Sequence, residues 1–179
     1  MKIIFLGVQG SGKSTQAKLA AEKLDLPYIE MGQLFRDKKN DNDEDAEKIR
    51  ETVDKGNLVP DELATRTLKQ RLASHDCING YVLDGYPRND AQFAALDKDI
   101  DRVFNIKISD EEAIKRLLLR GRHDDTKESL QKRMEWHHGQ TEPLIARFRE
   151  MGILEDVEGE RTIEEITQDI ENRMHDIKK

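Results

Sequence analysis

The chain opens Ile3-Ile4-Phe5-Leu6, Gly7-Val8-Gln9-Gly10-Ser11-Gly12-Lys13-Ser14-Thr15, Gln16-Ala17-Lys18-Leu19-Ala20-Ala21-Glu22-Lys23-Leu24. An apolar run of strand length leads into the phosphate-loop pattern GxxxxGK(S/T), and a run of good helix formers follows. That strand, loop, helix order decides the fold. The glycines let the backbone turn tightly and aim its N–H groups inward, so a polyphosphate can sit in a nest of donors at the mouth of the helix. Lys13 adds a mobile positive charge, and Ser14 or Thr15 offers a hydroxyl to a magnesium ion, which prefers hard oxygen ligands and enters such sites with phosphates. The motif implies a nucleoside triphosphate with Mg²⁺.

Length and composition bound the rest. The 179 residues suit one domain with room for a small insertion. Charged residues make up 37% and the net charge is −7, so the surface is solvated and repels nucleic acid and anionic membrane. No apolar stretch reaches the roughly 20 residues that a membrane span needs. Strand pattern begins at once, leaving no room for a signal peptide, so the expectation is a cytoplasmic protein acting as a monomer. Cys77 is the single cysteine. An internal disulfide and a cysteine-based structural zinc site are thereby excluded, and Cys77 reads as a small apolar residue near a strand.

Further along, Leu26 to Met31 reads as a short strand and Gly32 to Arg36 opens a helix. Asp37 to Asp45 holds only charged residues and Asn, the composition of a solvated linker. Ala46, Ile49 and Val53 then recur at helical spacing up to Gly56, so residues about 31–60 look like a small helical insertion. Pro60 starts another helix, with Asp61 and Glu62 in its first turn and Leu68 and Leu72 on one face. Tyr81-Val82-Leu83 is a buried-type strand ending in the polar turn Asp84-Gly85-Tyr86-Pro87-Arg88. Val103 to Ile108 alternates as a strand and leads into a helix over 110–119 with Ile114, Leu117 and Leu118 on one face. Asp125 and Glu128 have capping-box spacing ahead of a long helix carrying Leu130, Met134, Leu144, Ile145 and Phe148, bent near Gly139 and Pro143. A last strand fits 153–157. Thr162 and Glu165 cap a terminal helix with Ile163, Ile166, Ile170, Met174 and Ile177 facing inward. Alternating strands and helices call for a parallel sheet covered on both faces, with ligands at the carboxyl ends of the strands.

Arg116 and Arg120 lie four apart on one helix face, where like charges repel unless an anion sits between them. Arg122 follows two residues later and Arg133 projects from the next helix. Phosphoryl transfer spreads negative charge over the moving group, and cationic clamps stabilise it. With these residues in place the chain resembles the adenylate kinases, within the nucleoside monophosphate kinase family. The matching stretches are Gly7 to Ala17, Met31 to Arg36, Gly56 to Glu62, Gly80 to Arg88 with Gln92, Arg116 to Asp125, and Arg133. They span most of the chain in the family's order, and Asp-Gly-Tyr-Pro-Arg beside such a loop is far more specific than the loop alone.

The resemblance implies an α/β fold of three layers, a five-stranded parallel sheet flanked by helices. The core would take residues about 1–30 and 61–179, the acceptor-binding insertion about 31–60, and a minimal lid about 120–125. It implies transfer from MgATP to AMP giving two ADP. Gly7, Gln9, Gly10, Ser11, Gly12, Lys13, Ser14 and Thr15 would hold the ATP phosphates, Arg116 would stack on the ATP adenine, and Lys13, Arg120, Arg122 and Arg133 would neutralise phosphates during transfer. Arg36 and Arg88 would bind the acceptor phosphate and Gln92 would read the acceptor base, with Met31, Gly32, Asn57, Val59 and Gly85 around it. Ser14, Thr15 and Asp84 would serve the magnesium ion, partly through water.

Three departures from the family pattern stand out. Glu30-Met31-Gly32-Gln33 replaces a stretch that usually carries a hydroxyl near the acceptor base. Ser14 stands where glycine is common. Only Gly121 separates Arg120 from Arg122, where relatives carry a loop or a lid domain. A lidless enzyme is therefore expected, with slow ATP hydrolysis when no acceptor is present. Two other readings compete: a pyrimidine monophosphate kinase, whose relatives usually have Asn in place of Gln92, and a nucleotide-driven ATPase switch or assembly factor.

Overall fold

The computed structural model describes residues 1–54, 59–120 and 127–175. Among these, five strands form one sheet: β1 (Lys2–Leu6), β2 (Tyr28–Glu30), β3 (Tyr81–Asp84), β4 (Arg102–Lys107) and β5 (Leu154–Glu158). Their order is β2-β3-β1-β4-β5 and all pairings are parallel. The chain therefore runs from the central β1 out to the β2 edge before returning to fill β3, and then crosses to β4 and β5. This reversal around β1 opens a crevice at the carboxyl ends of β1 and β3, the place where open α/β sheets bind ligands.

Period-two alternation sends successive side chains of β1 to opposite faces. Ile3 and Phe5 pack with Ala17, Ala20 and Ala21 of α1 (Lys13–Leu24) and with Ile166, Ile170 and Met174 of α9 (Ile163–His175). Ile4 and Leu6 face Ala64 and Leu68 of α4 (Asp61–Leu72) and Leu144, Ile145 and Phe148 of α8 (Glu142–Glu150). Both faces of the sheet are thus covered, which explains why the inner strands β1 and β3 read as continuous apolar runs. The alanines of α1 bring that helix close to the sheet directly behind the glycine-rich loop.

The charged stretch 37–45 is more organised than its composition suggests. After α2 (Met31–Lys38), Lys38 reaches Asp41 at 3.0 Å and Asp43 as well. Asp43 accepts the Ala46 N–H at 2.8 Å, the bond of an N-cap residue, and so starts α3 (Glu44–Asp54). Arg50 donates back to the Lys39 and Asp41 carbonyls at 2.6 and 3.0 Å. Ala46 and Ile49 are buried; the Val53 side chain lies outside the described residues.

Two expected faces are revised. On α6 (Asp110–Arg120) the buried positions are Ala113 and Leu117, while Leu118 is 55% exposed, one step round the helix from them. On α9 the capping box forms, with the Thr162 N–H donating to Glu165 at 2.9 Å, but Ile163 is 53% exposed. A residue in the first turn of α9 overhangs the edge of the sheet's cover. The long helix bends as its sequence suggests: α7 (Lys127–Trp136) passes through a wide π turn, His137–Thr141, before α8. Pro143 has no N–H to give the Gly139 carbonyl, and the helix widens just there. The Asp125 cap and Ile177 lie outside the described residues. Cys77 is buried in a short 3₁₀ turn shortly before β3, and burial raises its thiol pKa.

Candidate functional site

The register of the sheet sets the site. Asp84 pairs with Phe5 on one side and with Glu30 on the other, so the loop after β1, the turn after β3 and the end of β2 emerge at one edge. Two glycines let the loop after β1 lie where it does. Gly7 has φ +142° and a side chain there would meet the Ile106 carbonyl oxygen at 2.5 Å; Gly10 has φ +87° and would meet that of Ala113 at 2.8 Å. The loop is thus wedged between the end of β4 and α6. Val8 packs with Ala113 and Met134, which brings α6 and α7 against it. Arg133, beside Met134, stands with its Nη1 at 3.4 Å from Gln9 Oε1.

Around the loop the charges are predominantly positive. Lys13 is drawn below the usual lysine range chiefly by burial and then by Arg88 and Arg120, with Asp84 and Glu30 opposing. Arg88 is likewise lowered by burial, with Arg133 adding to the effect and Asp84 and Glu30 opposing it. Lys13, Arg88, Arg120 and Arg133 therefore share one field, poised to receive an anion. His137 falls under it too: burial and then the Lys13 charge push its imidazole down to about 4, so it is neutral at pH 7.

Asp84 is 2% exposed. Its Oδ2 accepts from the Tyr28 hydroxyl at 3.0 Å, whereas Oδ1 is buried without a hydrogen-bond partner. The Ser14 hydroxyl reaches the same tyrosine, whose phenol is raised by burial and by the Asp84 and Glu30 carboxylates. A buried carboxylate oxygen with an open valence, beside a serine hydroxyl and a phosphate loop, suits a hard divalent cation arriving with its phosphates. Among the described residues no cluster of three or more His, Cys, Asp or Glu could hold a metal. Ser11 Oγ, within the loop, is also buried without a partner.

Beside the loop lies a cavity of about 400 Å³. Met31, Gly32, Arg36, Val59, Gly85, Arg88 and Gln92 all border it, together with Gln9, Phe35, Arg133 and Trp136. Its size falls in the range of small-molecule sites. The Arg88 side chain folds back to donate to the Gly85 carbonyl at 2.9 Å, and a side chain at Gly85, whose φ is +85°, would come within 3.2 Å of the guanidinium. Arg36 is held by Glu30 at 3.2 Å and by Gln33 at 2.8 Å. Gln92, in α5 (Asp90–Ala94), is buried: its Oε1 accepts the Arg88 backbone N–H at 2.8 Å and its Nε2 donates to Asp61 at 2.7 Å. Asn89 donates to the same Asp61 oxygen at 2.8 Å.

Arg116, on α6, does not border this cavity and is bonded to Glu112 at 2.8 Å. Thr15 is exposed in the first turn of α1, and Gly12 precedes that helix. Asn57, Arg122 and most of the 120–125 stretch lie outside the described residues. A shallower depression of about 640 Å³ on α4, lined by Glu62, Arg66, Lys69 and Ala95 among others, contains no loop residue.

Sequence reasoning missed Tyr28, Asp61, His137 and Trp136. Tyr28 owes its role to strand register and His137 to the turn between α7 and α8, neither of which leaves a local signal. Asp61 could be read only as a first-turn acid of α4.

Residues 5–153 match the adenylate kinase family. The adenylate kinase of Archaeoglobus fulgidus is 36% identical, covering 99% of this chain and 100% of the relative. That of Lachnoclostridium phytofermentans is 37% identical, covering 95% and 96%, and that of Caldicellulosiruptor bescii 34%, covering 95% and 97%. The first alignment runs over 216 positions against 179 residues here, so a sizeable stretch of that relative has no counterpart.

Proposed function

The chain belongs to the adenylate kinase family, and from that premise we propose that its loop and cavity carry out reversible transfer of the ATP γ-phosphoryl group to AMP, giving two ADP. What supports the residue assignment is one observation: the acceptor-side residues, Asn57 apart, border a single cavity in which Arg88 shares a field with Lys13 and Arg133. An oxygen of the AMP phosphate attacks the γ-phosphorus in line as the bond to the β-phosphate oxygen breaks, and no enzyme nucleophile intervenes.

The loop N–H groups and Lys13 hold the β- and γ-phosphates. Arg88 and Arg36 hold the acceptor phosphate, Arg36 exchanging Glu30 for it. Arg120, Arg122 and Arg133 balance the charge that spreads over the equatorial oxygens, and Arg116 lies against the ATP adenine. Mg²⁺, held by Ser14 or Thr15 and through water by Asp84, supplies neutralisation of the phosphate oxygens when bound. Tyr28 keeps Asp84 turned toward that position.

The core, the acceptor insertion and a lid cut to the residues around Gly121 follow from the same reading. The same reading has the enzyme acting in the cytoplasm, as a monomer.

Acceptor preference is the direct test of the AMP assignment. Gln92 is held with one lone pair and one N–H spare, the complement of an amino-bearing base edge. In a coupled assay at fixed MgATP, kcat/KM is expected to rank AMP first, CMP second, and UMP and GMP last. A pyrimidine monophosphate ahead of AMP would move the enzyme to the pyrimidine branch.

A further inference from the structure

Trp136 is the only tryptophan in the chain and the last residue of α7. Unlike Phe5, Phe104, Phe148, Tyr81 and Tyr86, which are fully buried, it stays 40% exposed, and it borders the cavity beside the loop. Its place is fixed from two sides. Arg133, one helical turn earlier on the same face, lies against Gln9 of the phosphate loop. Just after it comes the π turn, at whose end the Thr141 hydroxyl donates to the Arg88 carbonyl at 2.9 Å. The helix end that carries the indole is thus tied to both the donor loop and the acceptor loop. A scattered exposed apolar side chain needs no explanation, but a large ring held open on the wall of a concave, cationic site is apolar surface that a ligand would remove from water.

We propose, resting on the kinase reading above, that Trp136 packs over the bound nucleoside monophosphate and keeps water off the line of transfer. The chain needs such a cover, because only Gly121 stands where a lid would otherwise exclude solvent. Without it, water can take the place of the AMP oxygen: it attacks the γ-phosphorus, the bond to ADP breaks, and inorganic phosphate and a proton leave.

The sole tryptophan reports on its own contact. AMP is titrated into the wild-type protein without ATP while the indole emission is followed, and Trp136→Ala and Trp136→Phe are compared for transfer and for phosphate release. The emission should shift saturably with AMP. Trp136→Ala should raise the KM for AMP about tenfold, the scale of one lost aromatic contact on a nucleotide, and release more phosphate per ADP pair, with Phe restoring most of both. An emission that AMP does not move, or an Ala variant with wild-type KM and phosphate release, overturns the proposal. Failure of the kinase reading looks different: the wild type would then make no ADP from AMP.

Discussion

Lys13→Ala and Arg88→Ala should each lower turnover with saturating AMP by about 10²- to 10³-fold, as removing one preorganised donor typically costs about 3 to 4 kcal/mol of transition-state stabilisation. The expectation follows from the state of these cations in the empty site. Both are depressed by burial and by their positive neighbours, so part of their hydration is already lost and they repel one another. An anion entering between them meets charges that need little further desolvation or reorientation, and the benefit is greatest when charge has spread over the moving phosphoryl group. Folding should not suffer. Removing Lys13 gives up attraction to Asp84 and Glu30 but relieves repulsion by Arg88 and Arg120 and a burial cost, and removing the Arg88 side chain gives up a hydrogen bond to Gly85. Far-UV circular dichroism and the thermal midpoint of Lys13→Ala are expected close to wild-type values. A folded variant turning over at near-normal rate would remove that residue from the transfer step.

Gln92→Ala should collapse base selectivity, and the sharpest pair of acceptors is AMP and IMP, equal in size but opposite at the edge that is read. Adenine presents an amino donor and a ring acceptor; hypoxanthine presents a carbonyl acceptor and a ring N–H. The Gln92 amide cannot turn to suit the second, because flipping would set its NH₂ against the Arg88 N–H and its oxygen against the Asp61 carboxylate. A buried site that hydrogen-bonds one edge leaves polar groups unpaired with the other. The wild type is expected to favour AMP over IMP in kcat/KM by about 10²-fold or more, and Gln92→Ala to bring the two within about tenfold, mostly through loss on AMP. An unchanged ratio would mean that another group reads the base.

Much of the fold could be read from the sequence because its signals are local. The run Ile3 to Leu6, the loop after it and the alanine-rich helix state the strand, loop, helix unit, and the apolar strands announce a sheet buried on both faces. Thr162 and Glu165 give the last helix its start in so many residues. Misreadings came where position in the whole molecule decides exposure. Leu118 and Ile163 carry the right period but fall at the rim of the cover, and the charges of 37–45 look like linker until Lys38 and Arg50 are seen to bind back. The site divides the same way. Residues within motifs were legible, whereas Tyr28 beneath Asp84, Asp61 behind Gln92 and Trp136 at the cavity wall meet their partners only through tertiary packing.

Transfer to AMP stands against nucleotide-driven hydrolysis. Its most direct measurement follows ATP, AMP, ADP and inorganic phosphate together, in one reaction of the purified wild-type protein with MgATP and AMP. Transfer requires that ATP and AMP disappear in equal amounts, that two ADP appear for each ATP lost, that phosphate stays a minor product, and that ADP added alone regenerates ATP and AMP. One ADP and one phosphate per ATP, with AMP untouched, would contradict it and make the protein an ATPase.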